Sequence, residues 1–172
     1  MTVRPDRTMD SSPAEFAWRV HTALESWTAK VDMKASIMLA FQGGVLIFVS
    51  TSPPALVGAR PGAVAGAMVL LLTAMGFAAT AILPALGAVR RHRRECGQHW
   101  IYFGHLRLWQ PVALESRLAV LTERDEVRAL STQLIRMSRL NWRKHRLLQG
   151  SVLLTLLAML VMLVAVTAGW GR

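Results

Sequence analysis

Apolar residues are concentrated in three blocks of the chain. The blocks cover 35–52, 63–89 and 147–170, and none of them contains Asp, Glu, Lys or Arg. A helix needs roughly 20 apolar residues to cross a bilayer. The second and third blocks exceed that length, and the first approaches it before Pro53 and Pro54 end it. Because uncharged runs this long are rare in soluble cores, the pattern predicts three transmembrane helices.

Helical periodicity extends beyond the first block, toward the N-terminus. Residues 12–15 (Ser-Pro-Ala-Glu) have the form of a capping box with proline at the first helical position. Apolar side chains then recur every three or four residues, at Phe16, Val20, Ala23, Trp27 and Val31. No glycine or proline follows before Gly43. The pattern predicts one helix from Pro13 to about Thr51.

The third block is preceded by a similar pattern. Residues 122–125 (Thr-Glu-Arg-Asp) form a second cap signal, and no breaker appears before Gly150. A helix is therefore predicted from about Glu123 into the membrane. We expect the second span to continue to about Tyr102 with a kink at Pro84, and 112–121 to form a short helix. The predicted fold is an all-α membrane protein, with three transmembrane helices and cytoplasmic helical extensions that form a stalk.

Lys and Arg predict the orientation. Residues 90–146 hold 13 of the 20 basic residues and five acidic ones, whereas the connection between the first two blocks holds only Arg60. Cytoplasmic loops collect Lys and Arg, which places 90–146 and the N-terminus inside and the C-terminus outside. The predicted segments are a disordered 1–12, an amphipathic cytoplasmic helix 13–34, spans 35–52, 63–89 and 147–170, an external loop 53–62 and a basic cytoplasmic segment 90–146.

The composition excludes several classes of function. The formal net charge is +10, which we interpret as a topology signal because no basic groove with base-stacking aromatics is evident; we expect no nucleic-acid polymer as a partner. The spans contain no ionisable residue, which argues against a proton-coupled or charge-coupled transporter. Small residues four apart in the second block, such as Gly62 and Gly66, favour close helix packing and a homo-oligomer.

One group of side chains suggests metal chemistry. On a helix, His92, Cys96 and His99 would lie on one face, with His105 as a fourth zinc ligand. The alternative is that they are solvated or interfacial side chains of a basic helix, and we expect no bound metal. A small metal-dependent membrane enzyme remains a competing hypothesis.

The entrance of the first block carries two charges. Asp32 and Lys34 stand two residues apart where the predicted helix enters lipid. They can serve as an interfacial anchor, in which Lys34 extends toward the headgroups and Asp32 pairs with a nearby arginine. They can also form a functional site.

The run Asp32-Met33-Lys34-Ala35-Ser36 resembles the Asp-x-Lys-Ala signature of the transmembrane effectors of the Pycsar antiphage system. Further similarity lies in Tyr102-Phe103-Gly104-His105 and in the stretch from Leu130 through Gln133 and Ser138 to Lys144. The resemblance covers about 23–168. It implies that a neighbouring cyclase senses phage infection and makes cUMP or cCMP. The effector would then impair inner-membrane integrity, so that the infected cell stops growing or dies before phage mature.

This resemblance also implies what the protein binds and which residues take part. It implies a non-enzymatic effector without a cofactor other than the activating nucleotide, with the lipid bilayer as its other partner. An arginine can bind the nucleotide's phosphate and an aromatic ring can stack on its pyrimidine. The candidates for nucleotide binding or gating are Asp32, Lys34, Tyr102, His105, Gln133 and Lys144. A membrane scaffold whose cytoplasmic stalk binds a protein partner is the alternative.

Overall fold

The structure is a computed structural model, and it describes residues 12–51, 60–83 and 106–170. The helices whose two ends fall in these ranges are α1 (Pro13–Thr51), α2 (Pro61–Ile82), α3 (Pro111–Ala119) and α4 (Glu123–Trp170). No strand occurs in these described ranges. By length and composition, α1, α2 and α4 can each cross a membrane. The predicted all-α membrane fold with three spans is therefore confirmed.

The helices begin where capping side chains are available. In α1, the hydroxyl of Ser12 accepts a hydrogen bond from the amide of Glu15 at 3.3 Å. In α4, the hydroxyl of Thr122 accepts from the amide of Asp125 at 3.2 Å. Each cap satisfies a backbone donor that lacks a partner within its helix. α2 and α3 instead begin with a proline, whose fixed φ suits the first helical turn.

Part of the predicted helical course lies outside the described residues. The expected continuation of the second span through Pro84 toward Tyr102 falls in 84–105. The short helix expected over 112–121 is observed as α3, Pro111–Ala119.

The chain forms two compact units, and α1 and α4 each contribute to both. Unit 1 comprises Met1–Ser26 and Ala85–Arg139. Within it, the indole Nε1 of Trp18 on α1 donates a hydrogen bond of 2.7 Å to Glu126 on α4. Leu130 of α4 is completely buried. Three apolar residues of α1 are almost completely buried: Ala14, Ala17 and Leu24. These contacts pack the first turns of the two long helices.

Unit 2 comprises Trp27–Pro84 and Leu140–Arg172, and it contains the apolar parts of all three long helices. Its core joins Val31 and Ala35 of α1, Ala81 of α2 and Leu148 of α4. The buried face of α2 consists mainly of alanine, in the order Ala67, Leu71, Ala74, Ala78 and Ala81. Small side chains at these spacings allow close packing in a bundle. Many large apolar residues on the outer faces remain exposed, as lipid contact requires.

Candidate functional site

The most distinctive polar contact in unit 2 joins α1 and α4 just before their membrane-spanning parts. The Nζ of Lys144 on α4 lies 2.6 Å from Oδ1 of Asp32 on α1. Lys144 is 6% exposed, whereas about a third of the Asp32 side chain is accessible. We call this contact the entry pair. Two residues that the sequence analysis singled out, 112 positions apart, therefore meet in one ion pair.

The entry pair is held between polar and apolar layers. In the preceding turn of α1, the Thr28 hydroxyl donates a hydrogen bond of 2.6 Å to Oδ1 of Asn141 on α4. In the next turn, the buried side chains of Ala35 and Leu148 pack in the core of unit 2. Because charges are costly to bury without a partner, we expect the entry pair to favour this register of α1 against α4.

Exposed tryptophans lie close to the entry pair in sequence. Trp27 on α1 and Trp142 on α4 are both exposed in unit 2. Tryptophan concentrates at membrane–water boundaries because its ring is amphipathic. We therefore expect the entry pair to lie near the boundary of the hydrocarbon region, where an ion pair is stronger than in water.

The other candidate site residues do not take part in the entry pair. The observed contact of Asp32 is with Lys144, so the expectation that Asp32 pairs with a nearby arginine was wrong. Lys34 is exposed. Gln133 is half-buried and belongs to unit 1. Tyr102 and His105 lie outside the described residues.

A second polar group lies deeper in unit 2. Nε2 of Gln42 on α1 donates to Oγ of Ser151 at 2.8 Å and to Oγ1 of Thr155 at 2.7 Å, both on α4. The Ser151 hydroxyl donates to the carbonyl oxygen of Ala74 on α2 at 2.9 Å. We call Gln42, Ser151 and Thr155 the polar cluster. It joins all three spans at one level.

The polar cluster was not predicted from the sequence. Its members are neutral, so the absence of ionisable residues from the spans gave no sign of them. The available signal was an amide in the first apolar block together with hydroxyls four residues apart in the third. Residues four apart share a helix face, and Ser and Thr hydrogen-bond across membrane helices.

At the start of α4, the carboxylate of Asp125 contacts a hydroxyl and a guanidinium group. The hydroxyl of Thr122 donates to Oδ2 of Asp125 at 2.9 Å, and Arg117 lies 3.9 Å from Oδ1. The hydrogen bond from Thr122 lowers the pKa of Asp125 below its ordinary 3.8, and the positive charges of Arg117 and Arg128 act in the same direction.

Cations without an acidic partner among the described residues follow the exposed faces of unit 2. Lys30 and Lys34 on α1, and Arg143 and Arg146 on α4, are all exposed. They can bind phosphate, either from a lipid or from a nucleotide. Within the described part of the chain, no three His, Cys, Asp or Glu residues are placed to hold a metal. His92, Cys96, His99 and His105 lie outside that part.

The comparisons with known proteins give one match. A family model described as the Pycsar effector protein domain matches residues 16–170. The matched stretch includes the entry pair and the polar cluster. No curated protein and no solved structure matches the chain.

Proposed function

Because this chain belongs to the Pycsar effector protein family, we propose that its role as an antiphage defence effector is triggered by a cyclic pyrimidine mononucleotide. The trigger is cUMP or cCMP, made by a cyclase encoded nearby. The response is a loss of inner-membrane integrity, which stops growth or kills the infected cell before phage mature. The chain contributes no catalytic step.

The observation that carries this proposal is the entry pair. Asp32 and Lys144 connect α1 with α4 at 2.6 Å, close to the expected membrane boundary. Both helices continue without a break into unit 1. A ligand that prefers one packing of these helices shifts the equilibrium toward it by its difference in affinity for the two packings. Altered packing outside the bilayer would thereby reach the spans.

The charge distribution supports an anionic trigger. Residues 90–146 carry 13 basic and five acidic residues, and such an excess attracts a nucleotide phosphate. In the proposed topology, this segment and the N-terminus face the cytoplasm, where a cyclase releases its product. Gln133 and Lys144 belong to this segment, as do Tyr102 and His105.

Assembly of several copies is part of the proposal. Gly62 and Gly66 are exposed on α2, and an added Cβ at either position would meet nothing within 4 Å. Glycines four apart allow the backbones of two membrane helices to approach closely. The alanine face of the same helix packs within the chain, so the glycines are available to a second copy.

The test is a membrane-potential dye in cells that co-express the protein with a pyrimidine cyclase. We expect depolarisation with an active cyclase and none with a catalytically inactive one, and cyclases for both cUMP and cCMP are needed. Equal depolarisation with the inactive cyclase would show that the nucleotide is not the trigger. Silence with both active cyclases would contradict the proposed response.

Exposed apolar residues in unit 1 favour the scaffold as a second candidate function. Phe16 on α1, Val112 and Leu118 on α3, and the adjoining Val120 are all exposed. A protein partner would cover such residues. Cross-linking in cells that lack the cyclase distinguishes the two functions, because a scaffold would capture its partner without the messenger.

A further inference from the structure

We infer that the facing surfaces of α1 and α4 in unit 2 line the path by which water and small ions cross the membrane in the activated protein. We call these surfaces the α1–α4 seam; it contains the entry pair and the polar cluster. The inference rests on the proposed loss of membrane integrity and identifies the residues responsible for it.

Buried polarity within the described residues is confined to this seam. The buried polar or charged residues are Gln42, Lys144, Ser151 and Thr155. Each of them bonds across from α1 to α4. Asp32 and the Thr28–Asn141 hydrogen bond extend the same seam by a further turn. The described part of α2 contributes no buried polar side chain, so the buried polar side chains of the bundle are concentrated at one helix pair.

The polar groups extend from the membrane boundary toward the middle of the span. Gln42 follows Asp32 by ten residues, which corresponds to about 15 Å along a helix. That is about half of a 30 Å hydrocarbon core. Separation of α1 from α4 would therefore expose carboxylate, ammonium, amide and hydroxyl groups over this depth.

Gln42 has a hydrogen-bonding capacity that the closed bundle does not use. Its Oε1 is buried and accepts no hydrogen bond from the described residues. A buried carbonyl oxygen without a donor is unfavourable, because it has lost its hydrogen bonds to water without replacing them. Water entering an opened seam would supply that donor, so the unsatisfied amide favours hydration once the helices part.

Other surfaces of the bundle are poorly suited to water. The outer faces of α1 and α4 present exposed large apolar residues, among them Ile37, Phe41, Leu153 and Leu156. The buried face of α2 is mainly alanine. Within the described part of the chain, only the seam carries buried hydrogen-bonding side chains on the facing sides of two helices.

The packing of α1 against α4 also explains why the protein does not leak before it is activated. Beyond the polar cluster, α1, α2 and α4 enclose a groove of about 550 Å³ with apolar walls, including Val45, Leu71 and Ala158. On one side of the polar cluster, Asp32 pairs with Lys144 and Thr28 hydrogen-bonds to Asn141. On the other side lies the apolar groove. Ions therefore have no hydrated route until α1 and α4 separate.

Substituted cysteines test the inference in the full-length protein. In a Cys96→Ala background, Ser151→Cys and Thr155→Cys place thiols in the seam at little change in volume. Leu153→Cys and Leu156→Cys are matched controls on the exposed face of the same helix. Cells co-expressing the active or the inactive cyclase are treated with a membrane-impermeant, cationic methanethiosulfonate reagent.

We expect the two seam cysteines to react only when the active cyclase is present, and the reaction to reduce the dye-reported leak severalfold. The two control cysteines should neither react nor change the leak. A messenger-dependent leak in the Ser151→Cys and Thr155→Cys variants, with their thiols left unmodified by the reagent, would overturn the inference while leaving the proposed function intact. Absence of leak in the parent protein itself would overturn both.

A second measurement does not depend on cysteine chemistry. Gln42→Glu adds a carboxylate to the polar cluster. If the α1–α4 seam lines the ion path, this negative charge raises the permeability of cations relative to chloride. The reversal potential of purified protein in planar bilayers, with the messenger present, measures that ratio. An unchanged reversal potential in an active Gln42→Glu protein would overturn the inference.

Discussion

Lys144 is 6% exposed, but the carboxylate that it binds is accessible over about a third of its side chain. The two ends of the entry pair therefore respond differently to substitution. Loss of Asp32 leaves a buried ammonium without its partner, which is the costly case. Loss of Lys144 leaves a carboxylate that water can reach. The geometry thus predicts a larger effect at Asp32.

Asp32→Asn should reduce the free energy of unfolding by about 1.5–3 kcal/mol, the range for hydrogen bonds to charged groups. It should also abolish depolarisation triggered by the messenger while the protein stays in the membrane. The double variant Asp32→Lys with Lys144→Asp should restore both properties in part. Glu25→Gln, an exposed acid on the same helix, is the control. Thermal unfolding in detergent and the potential dye measure the two effects. Full triggered activity in Asp32→Asn would show that the pair is only an anchor.

Asp125 provides a pH-dependent contribution at the start of α4. Its pKa is lowered in the folded protein, chiefly by the Thr122 hydrogen bond. Such a group stabilises the fold above its unfolded-state pKa, and the contribution is lost as the pH falls through the lowered folded-state value. Hydrogen exchange of the first α4 amides should therefore accelerate below about pH 3.8, beyond the intrinsic effect of pH. Asp125→Asn should remove that acid-dependent acceleration. Identical pH profiles for the two proteins would contradict the assignment.

The residues of the candidate site were only partly predictable. Asp32 and Lys144 could be selected from the sequence, but their pairing could not, because many basic residues precede the third span and sequence spacing does not choose among them. The polar cluster was overlooked because Ser and Thr are common in membrane helices and often bond to their own backbone, as Thr73 does to Val69. Only the packing of α1 on α4 separates Ser151 and Thr155 from such residues.

At the scale of elements, the close approach of α2 to α4 depends on Gly150. A Cβ added there would lie 2.9 Å from Cδ1 of Phe77. Gly150→Ala should therefore destabilise the bundle by about 1 kcal/mol, the lower end for overpacking, because the partly exposed Phe77 ring can shift. In a Phe77→Ala background the same change should cost less. Gly44→Ala, whose Cβ meets nothing within 4 Å, should not destabilise. The measurement is the thermal midpoint in detergent, and equal costs in both backgrounds would refute the contact.

The exposed glycines of α2 lead to a prediction about assembly. Gly66→Leu should weaken association between copies without unfolding the chain, since the added side chain finds open space within the chain. Gly44→Leu is the control, because it makes the same change at an exposed glycine of α1 whose added Cβ also meets nothing within 4 Å. Disulfide-independent cross-linking in membranes, with and without the messenger, measures association. Equal cross-linking of Gly66→Leu and the parent protein would assign the interface to another helix.

The starts of α1 and α4 were the most predictable helix boundaries. Ser12 and Thr122 act as caps in the structure, because capping depends on a local arrangement of side chain and backbone. The packing of α2 was less predictable. Its small residues suggested contacts in general, but the structure divides them between an alanine face that is buried within the chain and glycines that are exposed. That division depends on which helices neighbour α2, and local sequence does not determine it.

For the whole molecule, continuity of α1 and α4 is the main physical feature. The 39 residues of α1 and the 48 of α4 correspond to about 58 Å and 72 Å, so each is much longer than the roughly 30 Å hydrocarbon core. Their apolar parts lie in unit 2 and their first turns in unit 1. The trigger and the seam can therefore act through the same two helices, with no additional transmitting element.

The proposed mechanism requires one orientation of the whole chain, and that orientation can be tested directly. Thirteen basic residues lie in 90–146, against one, Arg60, between the first two spans. This asymmetry predicts that 90–146 is inside, because cytoplasmic loops retain Lys and Arg. Reporter fusions after residue 58 and at the C-terminus should report an external location, and a fusion at residue 115 an internal one. Opposite results would place the basic segment away from a cytoplasmic nucleotide, and the messenger could then not reach it. Adding three lysines after residue 58 should weaken the preference, which gives a positive control for the charge-based explanation.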